Sequence, residues 1–184
     1  MMRSPLPVLP RDDLFHYLGE AFDSHPLIVL SAAMGYGKTT LANDIKQRLG
    51  ACCVSFTPAK AMADASAVWA ALTECVSQAS EEVAAIMKNM EVPDIRGELP
   101  PELVEAFRRE SGKRALLILV DDYHLIDLPE ISFFFEGLIK ERISGVRVLL
   151  LTRRLPSQAL TELVVKGLPR VFLRYSLSFS MLKT

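Results

Sequence analysis

Residues Ala32 to Thr40 read Ala-Ala-Met-Gly-Tyr-Gly-Lys-Thr-Thr, directly after the apolar run Leu27-Ile28-Val29-Leu30. A glycine-rich loop ending in lysine and threonine, between a strand and a helix, is the phosphate cradle called a P-loop. Each residue type has a physical task. Backbone N–H groups across Ala33, Met34, Gly35, Tyr36 and Gly37 can converge on phosphate oxygens, and a helix opening near Lys38 aims its positive dipole end at them. Gly35 and Gly37 permit backbone angles that a side chain forbids and let the chain approach a ligand closely. Lys38 can reach the outer phosphates, the Thr39 hydroxyl can bind Mg²⁺, and Thr40 completes the segment. Ala32 stands where the usual pattern has glycine, a departure of one methyl group.

A second cluster lies far along the chain. Ala115-Leu116-Leu117-Ile118-Leu119-Val120 is continuously apolar and ends in Asp121-Asp122. A strand buried on both faces of a parallel sheet reads this way, and open α/β sheets bind ligands at the carboxyl ends of their strands. By itself an apolar run ending in aspartates is common; beside a P-loop it is a Walker B site. Asp121 is then placed to hold Mg²⁺, an ion that favours one or two carboxylates together with phosphate oxygens and water. Asp122 is placed to polarise an attacking water, so Asp122 and Lys38 form the candidate catalytic pair.

The elements that must position these residues follow from periodicity. Strands are expected at Leu27–Ser31, Ala51–Phe56, Leu116–Val120, Val146–Thr152 and Val171–Tyr175. Leu41, Ile45 and Leu49 recur at helical spacing after the loop, with Gly50 at the cap position. Val68, Leu72 and Val76 make a second stripe, Pro101 opens a helix carrying Leu103 and Phe107, and Ile131 to Ile139 form a strongly apolar helix. The long interval from Met62 to Arg109 should hold several helices, with a loop over Glu91–Leu99. The Phe133–Phe135 run is expected to pack in the core. Strands alternating with helices imply an α/β fold, a three-layer α/β/α sandwich of the P-loop NTPase type on a mostly parallel five-stranded sheet.

Composition sets outer bounds. The 184 residues suffice for one domain with a proper core, read as a lead-in segment over 1–26 and an α/β core over 27–180. Half the residues are hydrophobic, yet no run approaches the roughly 20 apolar residues of a membrane span. The amino terminus lacks the apolar stretch of a secretory signal. With 21 basic and 22 acidic residues there is no bulk attraction to nucleic acid or to an anionic membrane. Cys52, Cys53 and Cys75 form no metal-ligand pattern and read as small hydrophobes; their odd count fits a reducing cytoplasm.

Met34-Gly35-Tyr36-Gly37-Lys38-Thr39-Thr40-Leu41 and Val120-Asp121-Asp122-Tyr123-His124-Leu125-Ile126 are more specific than a generic phosphate loop. Both closely resemble the nucleotide-binding domain of the large ATP-binding LuxR-type transcriptional regulators, the group typified by the bacterial maltose regulator, within the STAND class of signal-transduction ATPases. The resemblance extends over nearly the whole chain. It implies that Pro10-Arg11 belongs to a segment near the nucleotide, making Arg11 a nucleotide contact. It places Trp69 in a helix, and Leu177-Ser178-Phe179-Ser180 in the segment closing the domain. Leu149 to Pro156 resembles the family's strand ending in a Ser/Thr-Arg pair. That strand is inserted between those of the P-loop and Walker B, so Arg153 or its neighbour Arg154 could sense the γ-phosphate. His124 takes a structural hydrogen-bonding role, and Tyr36 suits packing as well as phosphate contact.

Three functions follow in order of support. The resemblance implies a cytoplasmic, slowly hydrolysing ATP/ADP switch whose partners are nucleotide and other domains or protomers of a parent regulator. In the family, winged-helix, sensor and helix-turn-helix units follow this domain. Here the chain stops at Thr184, so an excised domain or truncated homologue is expected, with no direct DNA binding by this segment. A small-molecule kinase uses the same loop but needs an arginine-rich lid, for which Arg108-Arg109 and Lys113-Arg114 are poor candidates. A nucleotide-dead interaction module has only Ala32 in its favour.

Overall fold

The computed structural model of the chain describes residues 11–31, 38–49, 52–95, 97–154 and 170–174. In chain order the elements are α1 (Arg11–Ser24), β1 (Leu27–Ser31), α2 (Lys38–Leu49), β2 (Cys52–Phe56), α3 (Ala65–Ser77), α4 (Glu81–Asn89) and α5 (Pro101–Lys113). There follow β3 (Leu116–Val120), a 3₁₀ turn (Tyr123–Leu125), α6 (Pro129–Lys140), β4 (Val146–Thr152) and β5 (Arg170–Arg174). All five strands are parallel, in the order β2-β3-β4-β1-β5.

The apolar runs become central strands because both of their faces are covered. Side chains alternate across a strand, and the burial follows that alternation. Leu27 and Val29 join one core with Val54, Ile118, Val148 and Leu150. Ile28 and Leu30 join the other with Leu117, Leu119, Leu149 and Leu151. The first core is roofed by α3 to α6, where Trp69 meets Phe134 edge-on at 5.1 Å and donates its indole N–H to the Met87 carbonyl at 3.1 Å. The second is roofed by α1 and α2 through Leu18, Phe22, Leu41 and Ile45. The result is the expected three-layer α/β/α sandwich of the P-loop NTPase type.

Helix starts use the devices their sequences offer. Asp64 accepts the Ser66 N–H at 2.9 Å, Ser80 accepts the Val83 N–H at 3.2 Å, and α5 and α6 open on proline. Gly145, at φ 80°, makes the turn into β4; an added Cβ would sit 3.1 Å from the Ser111 carbonyl oxygen. Its own carbonyl accepts the Leu116 N–H at 2.8 Å, which fixes β4 beside β3.

Three sequence expectations shift. The last strand runs Arg170–Arg174, one residue earlier than expected, and Tyr175 lies outside the described residues. β2 begins at Cys52, and Ala51 and Gly50 also lie outside. The lead-in segment carries a helix of 14 residues. Phe134 and Phe135 are fully buried as expected, Phe133 partly; Cys53 and Cys75 are half-buried rather than buried.

Candidate functional site

The topology brings three strand ends to one edge. β4 pairs with β1 on one side and with β3 on the other, so it is inserted between the strand that feeds the phosphate loop and the strand that ends in the aspartates. β3 is five residues long and β4 seven. Val120 pairs with Leu150, and β4 then continues through Leu151 and Thr152 opposite Leu30 and Ser31. Those two extra residues carry Arg153 past the end of β3 to where Asp122 stands.

Asp121 continues the β2–β3 ladder, donating its N–H to the Phe56 carbonyl at 2.9 Å. Its carboxylate is buried, the residue being 2% exposed, and one oxygen accepts the Asp122 N–H at 2.8 Å. Asp122 then adopts the left-handed conformation, φ 47° and ψ 41°, which aspartate tolerates better than most residues. The two neighbouring carboxylates differ in setting, Asp121 being buried and the Asp122 side chain 21% exposed. Arg153 donates from Nε to Asp122 Oδ1 and from Nη2 to Oδ2, each at 3.1 Å, a two-pronged fork on one carboxylate.

The surrounding loop is held from several directions. Arg154 donates from Nη2 to the His124 carbonyl at 3.3 Å, and the Thr152 hydroxyl donates to the Arg154 carbonyl at 2.7 Å. The His124 imidazole lies 3.8 Å from Asp122 Oδ1, too far for a hydrogen bond. Tyr123 is fully buried, its hydroxyl 2.8 Å from the Ser132 hydroxyl on α6. Burial, with a weaker contribution from Asp127, pushes that phenol far above its ordinary range, so it stays protonated. The Met62 N–H, beyond β2, donates to the Leu125 carbonyl at 2.9 Å.

Of the residues singled out by sequence, Asp121, Asp122 and Arg153 meet at this edge. Lys38 and Thr39 open α2, and Thr40 is exposed on its first turn. Ala33, Met34, Gly35, Tyr36 and Gly37 lie outside the described residues, as do the side chains of Lys38, Thr39 and Arg11; Arg11 opens α1. The roles of Arg154 and Thr152 in the turn, and of Tyr123 behind it, had no distinct signal beyond the Thr-Arg-Arg string after an apolar strand.

Among the described residues Asp121 is the candidate Mg²⁺ ligand; the side chain of Thr39, the other one expected, lies outside them. Asp121 supplies a buried carboxylate already oriented by a backbone N–H. Among the described residues no three His, Cys, Asp or Glu side chains gather on one point. An ion at Asp121 therefore has to complete its shell with phosphate oxygens, hydroxyl and water, as Mg²⁺ does. The basic clusters considered for a kinase lid are engaged elsewhere. Arg109 pairs with Glu82, Arg108 with Glu105 and Glu141, and Lys113 with Glu110, all on the surface.

No family model matches the sequence, and no curated protein matches it. Solved structures do. A Drosophila ORC structure bound to AT-rich DNA and Cdc6 aligns over 89% of this chain and 53% of its own, at 9% identity and a TM-score of 0.58. The Aeropyrum pernix Orc1 protein in complex with DNA aligns over 92% and 46%, at 19% identity and a TM-score of 0.49. A DNA replication initiation factor aligns over 92% and 48%, at 15% identity and a TM-score of 0.43. This chain thus spans about half the length of the structures it matches. The first alignment bears on the fold, which is that of the P-loop NTPases; the other two are too loose to bear on it. The Drosophila structure is held with DNA, and the expectation that this segment makes no direct DNA contact is not supported. Among the described residues no helix is long and apolar enough to cross a membrane.

Proposed function

We propose that this chain is a Mg-ATP/ADP-binding switch domain with slow hydrolysis, a cytoplasmic segment of a STAND-type bacterial transcriptional regulator. The observation that carries the nucleotide reading is the meeting of Asp121, Asp122 and Arg153 at the sheet edge where β1 also ends, at Ser31. In this reading Lys38 and the backbone from Ala33 to Gly37 bind the phosphates, with Arg11 and Thr40 beside them. Thr39 and Asp121 hold Mg²⁺, which when bound neutralises charge on the phosphate oxygens. Asp122 accepts a hydrogen bond from the attacking water, and Arg153 offers its planar fork to the terminal phosphate. The two motif strings support the regulator assignment, with ATP and ADP favouring different arrangements of the parent's domains or protomers. Such a switch works only through a difference in nucleotide affinity between two conformations.

Against the kinase reading, Arg108, Arg109 and Lys113 are paired with surface carboxylates. Calorimetric titration of Mg-ATP and Mg-ADP, beside Lys38→Ala, tests the proposal. Binding of both nucleotides that the variant weakens at least about 100-fold is expected, the loss of charge-assisted phosphate bonds costing about 3 kcal/mol. Absence of heat with either nucleotide, or equal binding by the variant, would sink it.

A further inference from the structure

We infer that Asp122 is a built-in competitor for the Arg153 guanidinium, and that this competition sets how strongly the site prefers ATP to ADP. The inference rests on the nucleotide reading above. Its basis is the fork itself: Nε and Nη2 of Arg153 each lie 3.1 Å from a different oxygen of the Asp122 carboxylate. A guanidinium presents the same two-pronged geometry to a phosphate. Asp122 therefore occupies Arg153 in the way a terminal phosphate would.

The topology supplies the second acceptor. β4 lies between β1, from which the phosphate loop springs, and β3, which ends in the aspartates. An arginine leaving β4 stands between the end of β3, which leads to Asp122, and the end of β1, after which the loop sequence follows. Asp122 is poorly placed to follow if the guanidinium turns away. Its backbone is left-handed, its N–H is bound to Asp121, and the loop beyond is tied by the bonds of Leu125 and Tyr123. Breaking the fork is thus a discrete event rather than a drift of both partners. Arg154 makes the contrast. It donates to a carbonyl, His124 O, a partner with no net charge and no second task.

Magnitude decides whether the competition can be won. The Arg153 side chain is 39% exposed and that of Asp122 is 21%, so solvent screens the pair. An ion pair in this setting shifts an equilibrium by about three- to fivefold. A terminal phosphate carrying nearly two negative charges exceeds that, whereas ADP has one phosphate fewer to offer. Two things follow. Asp122 lowers ATP affinity by the few-fold needed to open the fork and leaves ADP affinity almost unchanged. Once the fork opens, the Asp122 carboxylate is released to accept a bond from water, which ties its proposed hydrolytic role to the presence of ATP.

Four proteins test this: the wild type, Asp122→Asn, Arg153→Ala and the double variant, each titrated calorimetrically with Mg-ATP and Mg-ADP. Asp122→Asn is expected to raise the ATP-to-ADP affinity ratio about three- to fivefold, the size of the pair it breaks. Arg153→Ala should lower the ratio about tenfold, through loss of a charge-assisted phosphate contact. In the Arg153→Ala background the asparagine should change the ratio by less than about twofold, because the competitor then has nothing to hold. Simple relief of charge repulsion predicts the opposite, an asparagine effect that persists or grows once Arg153 is gone, and that result overturns the inference. So does an unchanged ratio in Asp122→Asn when both nucleotides bind, an outcome that leaves the nucleotide reading standing. Failure of the wild type to bind either nucleotide overturns both. A direct readout on the wild type alone is the ¹⁵N resonance of Arg153 Nε–H: it should move on adding Mg-ATP and hold still in Mg-ADP, and movement of equal size with both contradicts the proposal.

Discussion

β4 carries an arginine at each end, and the two are used differently. Arg147, near the amino end, donates from Nε to the Phe22 carbonyl at 2.5 Å and from Nη1 to the Val146 carbonyl at 2.9 Å. Phe22 lies in the last turn of α1, where carbonyls have no intrahelical partner and the dipole is negative. A guanidinium there is a cap, joining α1 to the sheet beside a cavity of about 330 Å³ lined by Gly19, Phe22, Leu116 and Gly145. Arg153, past the carboxyl end, grips a carboxylate instead. Carbonyl partners have nowhere else to go, so the contact at the amino end is structural. In the proposed reading Arg153 has a phosphate as its alternative acceptor, so the contact at the carboxyl end can be exchanged.

That contrast predicts a graded set of effects. Arg147→Ala should be the most destabilising, by about 1–2 kcal/mol, from the lost bonds to two carbonyls and the lost packing of the aliphatic stem. In thermal unfolding this appears as a drop of roughly 3–6 °C, with the ATP-to-ADP affinity ratio unmoved. A change in the ratio would erase the distinction between the two ends. Tyr123→Phe should cost about 1 kcal/mol, since it leaves the buried Ser132 hydroxyl without its partner. Adding Ser132→Ala should cost less than the sum of the two single changes, a non-additivity that chemical denaturation can read. Purely additive costs would mean the two hydroxyls are not coupled. Arg153→Ala should be the mildest for stability, within about 0.5 kcal/mol, because its pair is half-exposed. A loss comparable to that of Arg147→Ala would show that Arg153 is a structural tie after all.

The two ends also differed in how far the sequence revealed them. Leu116 to Val120 and Val146 to Thr152 announced themselves as strands, because a run buried on both faces needs apolar residues at every position. Asp121 and Asp122 were legible for the same reason, as charges abruptly ending such a run. The left-handed turn at Asp122 was not, for nothing in two adjacent aspartates announces it. The Arg153 contact spans 31 positions and exists because β4 is inserted beside β3, a topology suggested by family resemblance and not by periodicity. Arg147 was invisible, a charge inside an apolar strand whose partner lies 125 residues away. The helix α1 went unforeseen because its buried end, Ala21 and Phe22, becomes apolar surface only against the sheet.

The central claim is that the carboxyl edge of the sheet, and not the amino edge, takes nucleotide. Backbone amide chemical-shift mapping with Mg-ADP tests it most directly, since both edges are read in one experiment. The account predicts shifts at Ser31, Lys38 to Thr40, Asp121 and Asp122, with His25, Leu116, Gly145 and Arg147 unmoved. Shifts confined to the amino edge, or none at either edge at saturating Mg-ADP, would contradict it.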